Sequence, residues 1–353
     1  MALRLQRVPW FRVRAWFLLF RPWSYTATLV PFLVAASVVG MSRNADWWHW
    51  TGGLVAGLLF QATVNLLNTW GDERSGVDDV PGAIRTTPQV HDGLVSMRAV
   101  FVAAAICAAL ACIGGVLLCM YAGPAGEGGR VWKMNFELLI AGFIGFLGST
   151  NYSTGFKFKY RGLGVPFVSF LMGPLEIFVA ATLLKPEFGR EFIRDAFMSG
   201  KISPALYLLL GGFLFAVLTL PVASLVGVIM HGNDMRDIPT DRAAGIVTFA
   251  SRLGPRRALA YYRVCHALPY AVCFLLTALA VVLTGFSALL LLLPFLCLPL
   301  TVKTLRAAAR VYREDPQCPR WRGLERASGG IHFLFGILYA ASMALWQIAM
   351  KMS

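Results

Sequence analysis

The sequence predicts an all-α polytopic membrane protein with about nine transmembrane helices around a central cavity. Three observations support this fold class. Hydrophobic residues make up 57% of the 353 residues, charged residues make up only 14%, and apolar runs of helix-spanning length recur along the whole chain. Soluble domains carry about 25% charged residues, so a soluble globular fold is excluded.

Nine apolar runs account for the predicted spans. They cover 16–40, 50–70, 99–121, 135–155, 163–184, 203–230, 264–284, 286–303 and 328–350. The first run is long and lacks a small-residue cleavage site, so we expect it to remain as a span. An Asn-x-x-x-Asp element follows both the second and the sixth span, which suggests two four-helix halves with a ninth helix added. We therefore interpret residues 1–353 as a single membrane domain.

The basic residues predict how the chain is oriented. Arg4, Arg7, Arg12 and Arg14 precede the first span, which indicates a cytoplasmic N-terminus. With alternating spans, the cytoplasmic segments hold about three quarters of the 32 Lys and Arg residues. This distribution and attraction to anionic lipid account for most of the net charge of +14. We expect an integral protein of the cell (inner) membrane whose surroundings are the lipid bilayer, with no nucleic acid partner.

Two acidic motifs, 68–79 and 233–241, begin where apolar helices end, both on the predicted cytoplasmic side. Carboxylates gathered at a membrane surface are costly unless they hold a cation. Mg²⁺ is the expected cation because it takes one or two carboxylates per ion and completes its shell with water and substrate phosphate. The segments that follow the motifs, about 71–98 and 231–263, contain short helix-like stretches and are predicted to form interfacial helices or cap loops on the cytoplasmic side.

The spacing within each motif has a geometric consequence. Asn233, Asp237 and Asp241 are separated by four residues, so on a helix they form one stripe. The first motif opens with the same spacing, and a glycine inside it permits a turn that returns Asp78 to the same space. The alternative is that these acids only cap helices or face solvent in loops. Two motifs with matched spacing on one side favour a site that binds metal and diphosphate.

Taken together, these residues resemble a known family. The two motifs, Asn68-x3-Asp72-x5-Asp78 and Asn233-x3-Asp237-x3-Asp241, resemble the paired aspartate motifs of the UbiA superfamily of intramembrane prenyltransferases. The resemblance covers most of the chain. It includes Arg21-Pro-Trp-Ser24, Tyr152-Ser-Thr-Gly155, Lys159-Tyr-Arg-Gly-Leu-Gly164, Gly173-Pro174 and Asp241-Arg-Ala-Ala-Gly245-Ile-Val-Thr248. Within the superfamily, the chain is most similar to the branch that prenylates 1,4-dihydroxy-2-naphthoate in menaquinone biosynthesis.

The resemblance implies an activity. Such an enzyme uses Mg²⁺ to draw diphosphate from a polyprenyl diphosphate and transfers the polyprenyl group to an aromatic acceptor, here 1,4-dihydroxy-2-naphthoate, giving demethylmenaquinone. Metal and basic side chains would neutralise the charge that builds on the leaving diphosphate. The prenyl cation needs a dry, apolar cavity so that water does not capture it.

The resemblance also implies roles for individual residues. Mg²⁺ would be held by four carboxylates, Asp72, Asp78, Asp237 and Asp241. Lys159 would act with them in catalysis. Substrate binding would involve the two motif asparagines, three arginines and one tyrosine. These residues are Asn68, Asn233, Arg161, Arg236, Arg242 and Tyr152.

Other interpretations and three departures from the family pattern stay open at this point. The acceptor could instead be 4-hydroxybenzoate, homogentisate or a specialised phenol. An ion-coupled transporter is the alternative from another class, although transporters carry their acids near the bilayer centre rather than at one face. The second motif begins Asn233-Asp234, where the family commonly has two asparagines, and Val165 follows Gly164, where the menaquinone branch commonly has an acid. Glu176 is an ionisable residue inside the fifth predicted span, where it would accept a proton or pair with a cationic side chain.

Overall fold

The computed structural model describes residues 9–40, 45–75, 90, 93–122, 132–188, 198, 203–243 and 245–352. Almost all of them are helical. The helices are α1 (Pro9–Phe20), α2 (Thr26–Val39), α3 (Trp47–Ser75), α4 (Met97–Leu118), α5 (Phe136–Asn151), α6 (Gly164–Phe170), α7 (Glu176–Leu184), α8 (Pro204–Ala243), α9 (Phe249–Thr284), α10 (Leu298–Glu314) and α11 (Leu324–Met352).

Short elements complete the described fold. A π-helical turn, Leu171–Leu175, joins α6 to α7. Two strands, β1 (Met120–Ala122) and β2 (Trp132–Met134), form a small antiparallel pair. The 3₁₀ helices are Pro22–Tyr25, Phe158–Tyr160 and Phe286–Cys297.

Eight segments within the described residues are long and apolar enough to cross a membrane, which confirms the predicted polytopic helical class. The chain is an integral membrane protein. The remaining predicted span, 135–155, corresponds to α5, which has 16 residues. At about 1.5 Å per residue, α5 is shorter than the roughly 30 Å core of a bilayer. It is nevertheless apolar, and Asn135 caps its start by accepting a hydrogen bond from the Leu138 amide.

The helix ends differ from the prediction around both motifs. α8 was expected to stop near residue 230, but it continues to Ala243 and is 40 residues long, about 60 Å. α9 begins at Phe249, where the Thr248 side chain caps it by accepting from the Ser251 amide. The segment 231–263 is therefore more helical than predicted, since all of its described residues but a short connection are helical. The first motif likewise lies on α3 as far as Ser75, and its remaining residues fall outside the described part of the chain.

Close packing positions α6 and the π-helical turn against α8. A methyl group on Gly173, in the π-helical turn, would lie 2.6 Å from the Ala223 Cβ and 2.8 Å from its Cα. Real Cβ atoms do not approach so closely, so only glycine permits this contact. The buried core that surrounds it includes Ile177 of α7 and Val222 and Leu225 of α8. The same π-helical turn also borders a cavity, through Met172.

Candidate active site

A cavity of about 1260 Å³ opens between α2, α3, the α6–α7 segment, α8 and the start of α11. Polar residues of α3 and α8 line one part of its wall. The rest of the wall is mainly apolar and includes Val64, Val168, Met172, Val226 and Ile229. The cavity is thus amphiphilic, with a charged end at the two acidic motifs and a hydrocarbon-like interior.

The first motif is held by a cluster of hydrogen bonds at the end of α3. Lys159 Nζ donates to Asp72 Oδ1 at 2.7 Å and to Asn68 Oδ1 at 3.3 Å. The Tyr160 hydroxyl donates to the same Asp72 oxygen at 2.7 Å. Ser153 Oγ donates to Asn68 Oδ1 at 2.6 Å. The Asn-x-x-x-Asp spacing therefore places both side chains on the face of α3 that meets the segment 152–160.

Two glycines allow this meeting. A methyl group on Gly71 would lie 3.1 Å from both the Ser153 Cβ and its carbonyl oxygen, so α3 approaches the backbone of that segment directly. A methyl group on Gly164 would lie 3.2 Å from the Tyr152 hydroxyl and 3.2 Å from the Lys159 Cα. The segment is folded back tightly as a result, and it carries Tyr152 and Lys159 into the cavity wall.

Charge in this cluster favours a cationic lysine and a neutral phenol. Burial alone would lower the pKa of Lys159, but the Asp72 carboxylate beside it has the opposite effect, and together with Tyr160 and Tyr152 it holds this pKa above its ordinary value. Burial, followed by the Asp234 carboxylate, raises the pKa of Tyr152. Lys159 therefore stays protonated and Tyr152 stays an uncharged hydrogen-bonding group at neutral pH.

The second motif lies on α8, where Asn233, Asp237 and Asp241 all line the cavity, as the stripe predicted. Arg236 binds Asp237 with two hydrogen bonds, Nε to Oδ1 at 2.7 Å and Nη2 to Oδ2 at 2.6 Å. The buried Asp241 accepts from the Thr248 hydroxyl at 2.8 Å. Two helices that are far apart in sequence thus present amide and carboxylate oxygens to one space.

The formal charge of the wall tests whether a cation would fit there. Among the described residues that line the cavity, five are acidic and five are basic. Two close pairs already neutralise Asp72 with Lys159 and Asp237 with Arg236. Because this balance leaves no excess positive charge, a diphosphate needs an added cation to bind.

The donor set fits Mg²⁺. No three His, Cys, Asp or Glu side chains form a ready-made metal cluster in the part of the chain that the structure describes. Mg²⁺ does not require one, since it is usually held by one or two carboxylates together with substrate phosphate and water. Asp72, Asp237 and Asp241 supply such carboxylates, and Asn68 and Asn233 supply neutral oxygens.

Two of the predicted site residues lie outside the cavity wall, and a third falls on a part of the chain that the structure does not describe. Asp78 lies outside the described residues. Arg161 is exposed and absent from the cavity wall, and its carbonyl accepts a hydrogen bond from Arg252 Nη2 at 2.8 Å. Arg242 is also exposed and borders a separate small pocket beside Trp321. The other predicted site residues all line the cavity.

The cavity wall also contains polar residues that were not predicted. Asn65 and Gln61 continue the stripe of α3 away from the first motif, and both donate to Ser24 Oγ, at 2.9 and 3.3 Å. Gln61 is 6% exposed, and its Oε1 has no hydrogen-bond partner among the described residues. A signal for this stripe was present, because the spacing 61, 65, 68, 72 follows one helical face. Asp234 and Thr248 carried no comparable signal.

Comparison with known proteins gives a family for this architecture. The model of the UbiA prenyltransferase family matches residues 28–324. UbiA prenyltransferase domain-containing protein 1 of Gallus gallus is 28% identical over 335 residues, covering 94% of this chain and 86% of that protein. The Homo sapiens protein of the same name is 28% identical, covering 93% and 84%. These relatives do not single out the branch that acts on 1,4-dihydroxy-2-naphthoate.

Solved structures show the same fold. A UbiA homologue from Archaeoglobus fulgidus bound to GPP and Mg²⁺ superposes with a TM-score of 0.53 at 16% identity, covering 96% of this chain and 99% of that one. A structure of digeranylgeranylglyceryl phosphate synthase gives 0.51 at 12% identity, covering 94% and 99%. With the family model matched over most of the chain, the predicted resemblance is confirmed at the level of the family: this chain belongs to the UbiA prenyltransferase family.

Proposed function

We propose that this protein transfers a prenyl group from a prenyl diphosphate to an aromatic acceptor in a Mg²⁺-dependent reaction. One observation carries the proposal: Asn68 and Asp72 of α3 and Asn233, Asp237 and Asp241 of α8 line the charged end of one apolar cavity. The A. fulgidus homologue with the same fold was solved with GPP and Mg²⁺ bound, which supports a prenyl diphosphate as the donor here.

The residues of this chain would do most of the work by position and charge. The motif carboxylates and asparagines would hold Mg²⁺, which when bound would neutralise the leaving diphosphate. Lys159 and Arg236 now pair with motif carboxylates. They are close enough to the same space to donate to diphosphate oxygens, where charge builds as the carbon–oxygen bond breaks. The apolar wall would exclude water from the prenyl cation until the acceptor ring attacks it.

The acceptor is proposed to be a hydroxylated aromatic ring, most simply 1,4-dihydroxy-2-naphthoate. Its ring carbon would take the prenyl group as the carboxylate leaves as CO2, giving demethylmenaquinol, which a separate two-electron oxidation would convert to demethylmenaquinone. Gln61, Asn65 and Ser24 form an uncharged group on the cavity wall. The Ser24 hydroxyl has no hydrogen-bonding capacity left for a ligand, since it donates to the Arg21 carbonyl and accepts from the side-chain amides of Gln61 and Asn65. Among the described residues, the Gln61 oxygen has no hydrogen-bond partner, and it is buried in the wall. A phenolic hydroxyl would match that capacity once the Gln61 side chain turns towards the cavity, and Arg21 in the same wall offers a positive charge for a ring carboxylate.

Activity should depend on metal, donor and acceptor together. Purified protein in detergent, given a prenyl diphosphate, Mg²⁺ and 1,4-dihydroxy-2-naphthoate, is expected to release pyrophosphate and form a prenylated naphthoquinol. EDTA should stop the reaction and added Mg²⁺ should restore it. Parallel assays with 4-hydroxybenzoate and homogentisate identify the acceptor. Absence of turnover with every donor and acceptor pair would contradict the proposed reaction, whereas turnover with another phenol would correct only the acceptor.

The site is proposed to face the cytoplasm across the cell membrane. The distribution of basic residues supports this orientation. A reporter inserted at the exposed positions Asp315–Cys318, between α10 and α11, should report the cytoplasm. A reporter fused after residue 353 should report the opposite side, because α11 is apolar and 29 residues long. Reporting from the same side by both fusions would show that α11 does not cross the membrane.

A further inference from the structure

Glu176 is an acidic residue inside a membrane span that the proposed reaction does not use. It begins α7, directly after the π-helical turn. The Thr28 side chain of α2 is a polar neighbour of its carboxyl group, and none of the close ion pairs seen among the described residues includes it. A carboxyl group placed within a bilayer without a cation is costly, which marks such a residue as a candidate for a specific role.

Three helices meet at this carboxyl group. A methyl group on Gly57 of α3 would lie 2.9 Å from Thr28 Cγ2 and 3.6 Å from Glu176 Oε1. The missing side chain of Gly57 therefore gives the Thr28 and Glu176 side chains the space in which they meet. We call Thr28, Gly57 and Glu176 the floor cluster.

The floor cluster lies immediately beyond the cavity. Each of its members is within about one helical turn of a residue of the cavity wall, namely Ala27 on α2, Gln61 on α3 and Met172 before α7. α2 and the segment 164–184 run away from the acidic motifs, whereas α3 runs towards the first motif. On each of the three helices, the cluster residue is consequently farther from the charged end than the wall residue beside it. The cluster therefore lies past these wall residues, on the side away from the charged end.

A prenyl chain bound in this cavity would extend towards the floor cluster. With its diphosphate at the acidic motifs, its hydrocarbon tail would lie along the apolar wall, which includes Val64, Val168 and Met172. Beyond Met172 the tail would meet a carboxyl group instead of hydrocarbon. Burying that group against alkyl carbon costs free energy because its oxygens gain no new hydrogen bond.

We propose that Glu176 determines prenyl-chain specificity by placing a polar group at the cavity floor, which stops the tail from extending between α2, α3 and α7. This inference rests on the proposed prenyl transfer. It predicts that tails which end above the floor cluster are accepted and that longer tails are penalised. We assign Thr28 a positioning role, since its side chain lies beside the carboxyl group in the space that Gly57 leaves.

The test compares donors of increasing length in variants at residue 176. Glu176→Leu and Glu176→Met remove the polar group with two differently shaped side chains, and Glu176→Gln keeps a polar group of the same size. The measurement is kcat/KM for geranyl, farnesyl, geranylgeranyl and longer prenyl diphosphates with one acceptor. Removing the polar group should raise the ratio of longer to shorter donors by about tenfold. Glu176→Gln should keep the wild-type ratio.

A matched control separates this effect from general loosening of the helices. Thr277→Val removes another buried polar group from a membrane span, a hydroxyl that donates to the Cys273 carbonyl at 2.7 Å away from the cavity wall. It should leave the donor ratio unchanged. An unchanged ratio in both apolar variants, or an equal shift in Thr277→Val, would overturn the proposal. Loss of turnover with every donor in Glu176→Gln would also overturn it, because the residue would then act in proton transfer. No turnover by the wild-type protein would instead refute the proposed function.

Discussion

Replacing Asp72 or Asp237 by asparagine should reduce prenyl transfer by about a thousandfold or more. Each change keeps the size of the side chain and removes the negative charge. Because the cavity wall has equal numbers of acidic and basic residues, the motif carboxylates are what would draw Mg²⁺ to this site. When one of these carboxylates is removed, Mg²⁺ is no longer held at the site. The leaving diphosphate then loses the positive charge that would neutralise it. The measurement is prenylated product formed per unit time at saturating Mg²⁺ and donor.

The double variant provides a second, sharper expectation. If the two carboxylates act on one bound diphosphate, their two losses of activity should not multiply. The double variant Asp72→Asn with Asp237→Asn should then have about the activity of the less active single variant. Fully multiplicative losses would indicate two independent sites.

A control on the same helix shows whether lost charge alone explains the effect. Asp46→Asn removes a carboxylate just before α3, where Asp46 caps the helix by accepting from the Trp48 and His49 amides. Asparagine caps helices equally well, so activity should stay within about twofold of wild type. Thermal unfolding of each variant shows that it is folded. More than a few per cent of wild-type activity in Asp72→Asn or Asp237→Asn would refute the proposed metal site.

The helices could be predicted from the sequence, but their ends could not. Apolar composition identifies the part of α8 inside the bilayer, and the prediction stopped near residue 230 because polar residues begin at His231. The helix continues because its polar residues face a cavity and one another rather than lipid. Asn233, Asp237 and Asp241 line the cavity, and Arg236 pairs with Asp237 on the same helix. Hydropathy measures what a residue would cost in lipid, and it carries no information on a cavity lined by polar residues between helices.

The site was predictable where one helix carries it and unpredictable where the fold assembles it. The spacing of Asn68 and Asp72 indicates a shared face from the sequence alone. The contact of Tyr160 with Asp72 depends on how a distant segment folds back onto α3, which no local pattern records. Lys159 and Arg161 stand two residues apart in one basic segment, yet only Lys159 lines the cavity. The left-handed backbone at Lys157, with φ of 55°, contributes to this turn and gives no clear signal in the sequence.

Lys159→Met should lower kcat/KM for the prenyl diphosphate by about a hundredfold, the effect of losing a charged hydrogen bond. The lysine is well placed for this role, since its Nζ contacts both Asp72 and Asn68, at 2.7 and 3.3 Å. Methionine keeps the length and the apolar stem and removes only the charge. Part of the loss could come from a weakened fold, because breaking a buried pair destabilises a protein. The thermal unfolding of the variant is therefore measured together with its kinetics. In this variant, Tyr160 can still donate a hydrogen bond to Asp72.

Arg161→Met is the matched control for the Lys159 prediction, and it tests whether position in the cavity or positive charge in the segment matters. Arg161 is exposed and lies outside the cavity wall, and its structural contact is made by its backbone carbonyl, which methionine retains. Its removal should change kcat/KM by less than about twofold, since an exposed charge away from the substrate contributes little.

The substrate whose KM rises in Lys159→Met shows which group Lys159 binds. A raised KM for the donor places Lys159 at the diphosphate, and a raised KM for the acceptor places it at a ring carboxylate. Equal losses in the two variants would assign both residues to orienting the segment at the membrane, and the Asp72–Lys159 contact would then have no part in substrate binding.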